Sequence, residues 1–362
     1  MGALKNLHQL LQTLDRSEKR YFRLQRAAHG KADGQTEQLF DLLQSSDATT
    51  LIENDFEGHP GIATNLPTLT RRLFAGLSAA LTQLHSGKTT ESRLHHALET
   101  IALLYRKKQW NLAAHEVRKA KRLARKFTFL PQLLSLISFE RKLILATSAS
   151  DGVTQMEVLR EEEIRAQALL QQQNELQHLE HLIRHLIRQR SRSSADISMQ
   201  QLEALATNPV VEAALTSEDL RLFSYATNIR GNFLNITQNF AAAAGHYRLA
   251  FDKWKNAPEW VREHPDFFLS LFSNYQIALL HSLEDPTELE EALLFLRTVR
   301  LTDPATRLIF QNMSFQSTNV VYLNRGKFEE AITLFDEISG WLKKNKGQIS
   351  NSIHLIFHYN AA

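Results

Sequence analysis

The stretch Phe315–Ile338, FQSTNVVYLNRGKFEEAITLFDEI, decides the fold. It reads as two short helices hinged at Gly326, with Phe315, Tyr322, Phe328, Ala331, Phe335 and Ile338 alternating between large and small apolar side chains. A helical pair of this kind is apolar along one side only and buries that side by stacking on its neighbours.

The same spacing recurs upstream in Thr227, Gly231, Leu234, Phe240, Ala243, Tyr247 and Ala250, with a small residue where the two helices would cross. Phe267–Leu283 and Thr287–Arg300 form the next pair, with Ala292, Leu296 and Val299 on its second helix and Glu284-Asp285-Pro286 as an inserted linker. A weaker match covers 93–126 through Ala97, Leu104, Trp110, Ala113, Val117 and Ala120, with Lys108 at the hinge in place of glycine. On these residues the chain resembles the tetratricopeptide-repeat family, from about 220 to 362 and again over 93–126. The resemblance implies an all-α protein, an α-solenoid of antiparallel helical hairpins.

It also implies a function. First helices of such hairpins line a concave groove that holds a protein or peptide. Mapped onto this sequence, Tyr225, Asn228, Asn232 and Asn235 fall on that face, and Asn274, Asn319 and Asn360 recur midway along later first helices. Family members that clamp a C-terminal carboxylate place basic residues there. Here Asn228, Met313 and Ser317 stand at those positions, so a carboxylate clamp is not expected. Asparagine amides bond a peptide backbone through both donor and acceptor. The competing reading is that they tie neighbouring helices together by buried hydrogen bonds.

The rest of the chain divides around these repeats. Residues 1–85 read as a separate N-terminal helical cap, 86–195 as irregular hairpins with one very long helix, and 218–362 as the repeats. Asp15-Arg16-Ser17-Glu18 has capping-box spacing and starts a helix over Glu18–Ala28, which GKADG at Gly30–Gly34 ends. Leu66–Leu84 is apolar at helical period. Thr154–Arg190 runs without Gly or Pro, and Leu169, Leu176 and Ile183 repeat every seven residues, which suits packing along neighbours or a dimer seam. Residues 191–217 read as a boundary, and Asp285-Pro286 and Asp303-Pro304 as helix starts. Ser352–Ala362 begins a first helix with no second, which implies that the chain continues or that another chain covers this end.

Composition agrees with helices: only 13 Gly and 8 Pro in 362 residues, with 43% apolar side chains. No cysteine is present, which excludes disulfides, thiolate metal ligands and cysteine nucleophiles. No stretch has the length of a membrane span and no secretory signal is evident, so a cytoplasmic protein is expected. A formal charge of +3 implies no polyanionic partner by itself.

Local clusters are therefore weighed singly. Ser86-Gly87-Lys88-Thr89 resembles the end of a phosphate loop, but Thr82 stands where its first glycine belongs, and a helix end is the expected role. His178, His181 and His185 share a helix face but lack further ligands, so no metal site is expected. Glu161-Glu162-Glu163 is read as helix-dipole stabilisation near a helix start. The stretch 106–126 is basic, and Lys107, Lys108, Arg118, Lys121, Arg122 and Arg125 are candidates for binding a polyanion, although helical spacing spreads them around the helix and a solvated face is the simpler reading. Arg184, Arg188, Arg190 and Arg192 make a second cluster. The expectation is a non-enzymatic scaffold without cofactor that binds a protein or peptide. The alternative is a regulatory nucleic-acid binder using 106–126.

Overall fold

A computed structural model describes residues 2–28, 34–45, 56, 58–147, 151–192, 199–282, 287–299, 301 and 304–345. The expected caps at Asp285 and Asp303, the Gly30 break and the final Ser352–Ala362 with Asn360 lie outside the described residues, as do the Arg190 and Arg192 side chains. The structure is all-α, 89% helix in seventeen helices, with no strand among the described residues. No helix among them is long and apolar enough to cross a membrane. Contacts divide the chain into two units, Met1–Arg93 with Trp341–Ala362, and Leu94–Gly340. The first boundary thus lies a little beyond the expected residue 85, and the break expected across 195–218 falls inside the second unit.

The first unit is built from α1 (Gly2–Thr13), α2 (Arg16–Ala28), α3 (Gly34–Ser45) and α4 (Pro60–His85). The capping box forms as spaced: Asp15 N–H donates to Glu18 Oε2 and Glu18 N–H to Asp15 Oδ1, each at 2.8 Å. Helix α4 begins earlier than the expected Leu66, because Pro60 suits the first helical turn and Ile62 extends the buried stripe of Leu69, Leu73 and Leu77. These side chains meet Leu7, Leu11, Phe22, Leu39, Phe40 and Leu43 in one core.

The second unit continues through α5 (Thr90–Arg106), α6 (Trp110–Lys126), α7 (Leu130–Thr147) and α8 (Gly152–Arg192). Short α9 (Met199–Ala206) and α10 (Pro209–Ala214) follow, inside the stretch read as a boundary. Asn208 caps α10 by accepting from Val210 N–H at 2.9 Å, ahead of Pro209. Then come α11 (Leu220–Ile236), α12 (Phe240–Lys255), α13 (Pro258–Glu263), α14 (Pro265–Ser282), α15 (Thr287–Thr298), α16 (Pro304–Asn324) and α17 (Phe328–Lys344). Packing runs in series: α6 on α7, α7 on α8, α8 on α11, α11 on α12, α12 on α14, and α14 on α16.

One turn recurs at four junctions, α5–α6, α6–α7, α11–α12 and α16–α17. Lys108, Thr128, Gln238 and Gly326 all take positive φ, between 52° and 67°. In each turn the N–H of that residue bonds the carbonyl three residues back, and the following N–H bonds the carbonyl five back, as in Gln109 to Leu104, Phe129 to Ala124, Asn239 to Leu234 and Lys327 to Tyr322. This is a Schellman ending, and it satisfies two of the last free carbonyls of each first helix. The left-handed conformation costs a side-chain-bearing residue about 1 kcal/mol or more relative to glycine. Lys108, Thr128 and Gln238 adopt it because the surrounding packing fixes both helices.

Where α11 crosses α12, a Cβ on Gly231 would stand 2.6 Å from Tyr247 Cε2, so only glycine permits this approach. Tyr247 fills the space and donates from its hydroxyl to Asn232 Oδ1 at 3.3 Å. Leu176, Leu179 and Ile183 of α8 are buried against Leu202, Val211, Tyr225 and Ile229, so this part of the seven-residue seam is covered within its own unit. Leu169 lies at the exposed edge. The α6–α7 turn is tied down from several sides. Phe127 meets Trp260 edge-on at 5.7 Å, Thr128 Oγ1 donates to Asp219 Oδ2 at 3.2 Å, and His264 Nε2 donates to Phe127 O at 3.3 Å. Burial and the Arg221 charge push the His264 imidazole down to about 4, so it is neutral here.

Candidate functional site

The asparagine row lies on α11, α14 and α16, as the spacing requires, but most of it is covered. The α8 helix packs along α11, and Glu180 of α8 accepts from Asn228 Nδ2 at 3.4 Å. Asn274 Nδ2 donates in turn to Asn228 Oδ1 at 3.3 Å. Asn228 is fully buried and Tyr225 packs edge-on against Phe267 at 4.6 Å, so both face helices where the sequence placed an open groove. Burial raises the Tyr225 phenol above its ordinary value. The other end of the row is different. Asn232 Nδ2, Asn235 Oδ1 and Asn319 Oδ1 are buried atoms with no hydrogen-bond partner among the described residues.

The basic residues of α6 converge more than their spread in sequence implied. Arg118, Lys121, Arg122 and Arg125 recur at three- and four-residue steps and line one cavity of about 450 Å³ with His115 and Glu140. Lys107 and Lys108 stand apart, exposed in the α5–α6 turn. The cavity is largely neutralised from within. Lys121, whose side chain is 5% exposed, bonds Glu140 and Glu162, the latter at 2.7 Å. Arg125 Nε donates to Glu162 Oε1 at 2.7 Å.

The run Glu161–Glu163 therefore has a role other than the one its position suggested. It lies well inside α8, beyond the reach of the helix dipole. Glu162 serves α6, Glu163 pairs with Arg141 at 2.7 Å, and Glu161 faces Arg165 at 3.9 Å. Burial alone would raise the Glu162 carboxyl, but hydrogen bonds from Lys121 and Arg125 outweigh it and hold the group below the usual carboxylate range.

A second basic face, on α2, escaped the reading of the sequence. Arg16, Lys19, Arg20 and Arg23 have the spacing i, i+3, i+4, i+7 and line one cavity of about 320 Å³ with Leu24 and Gln44. At 100° per residue they share about 100° of arc. The capping box, read from the same residues, drew attention to Asp15 and Glu18 and away from the cations between and after them. Arg23 is paired with Asp41 at 2.7 Å and also donates to Gln44 Oε1 at 3.2 Å. Arg16, Lys19 and Arg20 have no carboxylate partner within ion-pair distance among the described residues. Burial and the neighbouring Arg23 charge push the Lys19 amine below its ordinary value. A second cavity, about 520 Å³, adjoins the first through Arg23 and Gln44 and is walled by Gln38, Asp41, Leu42, Ser45 and His59.

Other candidates stay dispersed. His178, His181 and His185 are exposed on α8, and no group of three metal-ligating side chains gathers among the described residues. Ser86–Lys88 forms the turn after α4, with Gly87 at φ 76° and its N–H bonded to Ser92 Oγ at 2.8 Å. No family model matches the chain, and no curated protein or solved structure matches it either.

Proposed function

We propose that this chain is a non-enzymatic scaffold, built like a tetratricopeptide-repeat solenoid, that binds a partner protein or peptide. Support for the build comes from the four identical hairpin turns and from the glycine–tyrosine crossing of α11 and α12. Units of this sort stack in series and offer extended surfaces rather than catalytic clefts. The observation that carries the function is the unsatisfied end of the asparagine row. Asn232 Nδ2, Asn235 Oδ1 and Asn319 Oδ1 are buried without a partner among the described residues, so a partner reaches them only where the helices above part, and its main chain would then satisfy one donor and two acceptors. The Asn228 end is occupied by α8, so the partner contacts the α11 C-terminal half, α14 and α16.

The test is quantitative binding of a purified partner, first found by cross-linking the intact protein in its host. An Asn235→Ala, Asn319→Ala double variant that keeps its helicity should bind it at least tenfold more weakly. Equal affinity for the variant, with Asn228→Ala no weaker, removes the proposal.

The nucleic-acid alternative on α6 has less support. Glu140 and Glu162 already occupy the cations nearest the cavity, leaving Arg118 and Arg122 exposed at its rim.

A further inference from the structure

We infer that the α2 face is a binding site for a phosphomonoester, with the phosphate held by Arg16, Lys19, Arg20 and Arg23 and the rest of a small ligand lying in the adjoining cavity. The site is independent of the asparagine row and belongs to the other unit.

Three observations lead to it. First, the four cations converge on a single cavity and three of them lack a carboxylate partner within ion-pair distance among the described residues. Like charges gathered this way raise each other's energy, and the lowered Lys19 value reflects that repulsion together with burial. Second, three of the four occupy the first turn and a half of α2, where the helix dipole is itself positive. Cations are disfavoured at that end, so the fold places positive charge where its own backbone opposes it. Asp15 and Glu18 answer the dipole at that end, and the cations of the same turns stand beside them with no carboxylate at ion-pair distance from Arg16, Lys19 or Arg20 among the described residues. Third, the second cavity continues from the first and carries donors and acceptors in Gln38, Gln44, Ser45 and His59 beside Leu42, with its one carboxylate, Asp41, engaged by Arg23 at 2.7 Å.

The ligand class follows from charge. Three uncompensated cations around one cavity match a group that concentrates two negative charges, as a phosphomonoester does above its second ionisation near pH 6. A carboxylate or a phosphodiester brings one. Arginine forks suit phosphate oxygens bidentately, and three of the four side chains are arginine.

The affinity should therefore fall as the pH drops below about 6, when the ligand gains its proton. The charged groups around the site do not produce that loss. Asp15 and Glu18 cap α2, Glu18 also bonds His85 of α4 at 2.8 Å, Asp41 and Glu37 of α3 pair with Arg23 and Arg26, and His59 lies across the second cavity. Protonation of any of these adds positive charge and would strengthen anion binding, the opposite sign.

Calorimetric titration of the full chain in phosphate-free buffer tests this with inorganic phosphate, ribose 5-phosphate, ribose and a short single-stranded oligonucleotide without terminal phosphate. Saturable binding of phosphate is expected, tighter for ribose 5-phosphate and absent for ribose. An Arg16→Ala, Arg20→Ala variant with unchanged circular dichroism should lose at least tenfold in affinity, while Arg118→Ala, Arg122→Ala on α6 should not. The inference is overturned if phosphate does not saturate by roughly 10 mM, if the α2 variant binds as the parent does, if affinity is flat between about pH 5 and 7, or if only the oligonucleotide binds.

Discussion

Two helices of similar length, α2 and α6, each gather four cations at the same spacing around a surface cavity, yet they differ in what the rest of the fold does with that charge. On α6 two carboxylates from neighbouring helices reach in, and Lys121 becomes a buried structural cation. On α2, among the described residues, only Arg23 receives a carboxylate inside the cavity, while Arg26, outside it, faces Glu37 at 3.8 Å. The count of cations is therefore a poor guide to a binding face. The deciding quantity is the charge left over after the chain's own carboxylates have been placed, and those come from elements distant in sequence.

The sharpest way to break the contrast is to remove one cation from each face. Lys121→Met leaves Glu140 and Glu162 facing each other without their buried partner and should cost about 3 kcal/mol or more, read from urea unfolding with amide exchange followed in α6. Lys19→Met should cost less than about 0.5 kcal/mol by the same measurement, or stabilise slightly. Similar losses at the two sites would end the distinction.

Acid should single out the α6 side next. The neutral His264 that holds the α6–α7 turn has a folded value of about 4 against 6.5 for the free side chain. The unfolded chain binds the extra proton first, so this unit should lose up to roughly 3 kcal/mol as the pH falls from 6.5 to 4. Glu162 adds to the loss at the lower end: its folded value lies below the ordinary 4.5, so its contribution is intact above 4.5 and fades as the pH drops toward the folded value. Replacing His264 by Gln should flatten the upper part of the curve. A curve equally steep without the imidazole would rule out this assignment.

Salt and alkali should mark α2 with smaller effects. Raising sodium chloride screens the repulsion among Arg16, Lys19 and Arg20 and should protect α2 amides from exchange by a few tenths of a kcal/mol, while the buried Lys121 pair barely responds. The lowered Lys19 value has the opposite sign from a paired lysine: the unfolded chain keeps its proton to higher pH, so α2 should gain stability as the pH climbs toward 10.5. That gain should vanish in Lys19→Gln. Its persistence would mean another group titrates.

How far the sequence carried this picture varies by element. Periodicity found the long helices nearly to their ends: Thr154–Arg190 was expected and Gly152–Arg192 is seen. Asp15 and Glu18 announced their capping box because both partners lie within one turn. The short α10 and α13 were missed, although Asn208-Pro209 and Pro258 are the start signals that sequence reading uses. The state of the asparagines was harder to read, because Glu180, which binds Asn228, lies 48 residues away on the long helix, whose packing partners its seven-residue spacing does not name. The same holds for Lys121, whose carboxylates sit 19 and 41 residues downstream. The α2 face was the reverse case, since all four cations lie within eight consecutive residues and their spacing alone reveals the stripe. What no spacing reveals is that, among the described residues, only Arg23 of the four receives a carboxylate at ion-pair distance.

The hairpin hinges point to a further consequence. One backbone path is followed by lysine, threonine, glutamine and glycine, so the bend is kept in dihedral angles while the residue at it changes. The two hydrogen bonds that close each helix end come from backbone groups alone, so exchanging the residue at a bend should leave both in place.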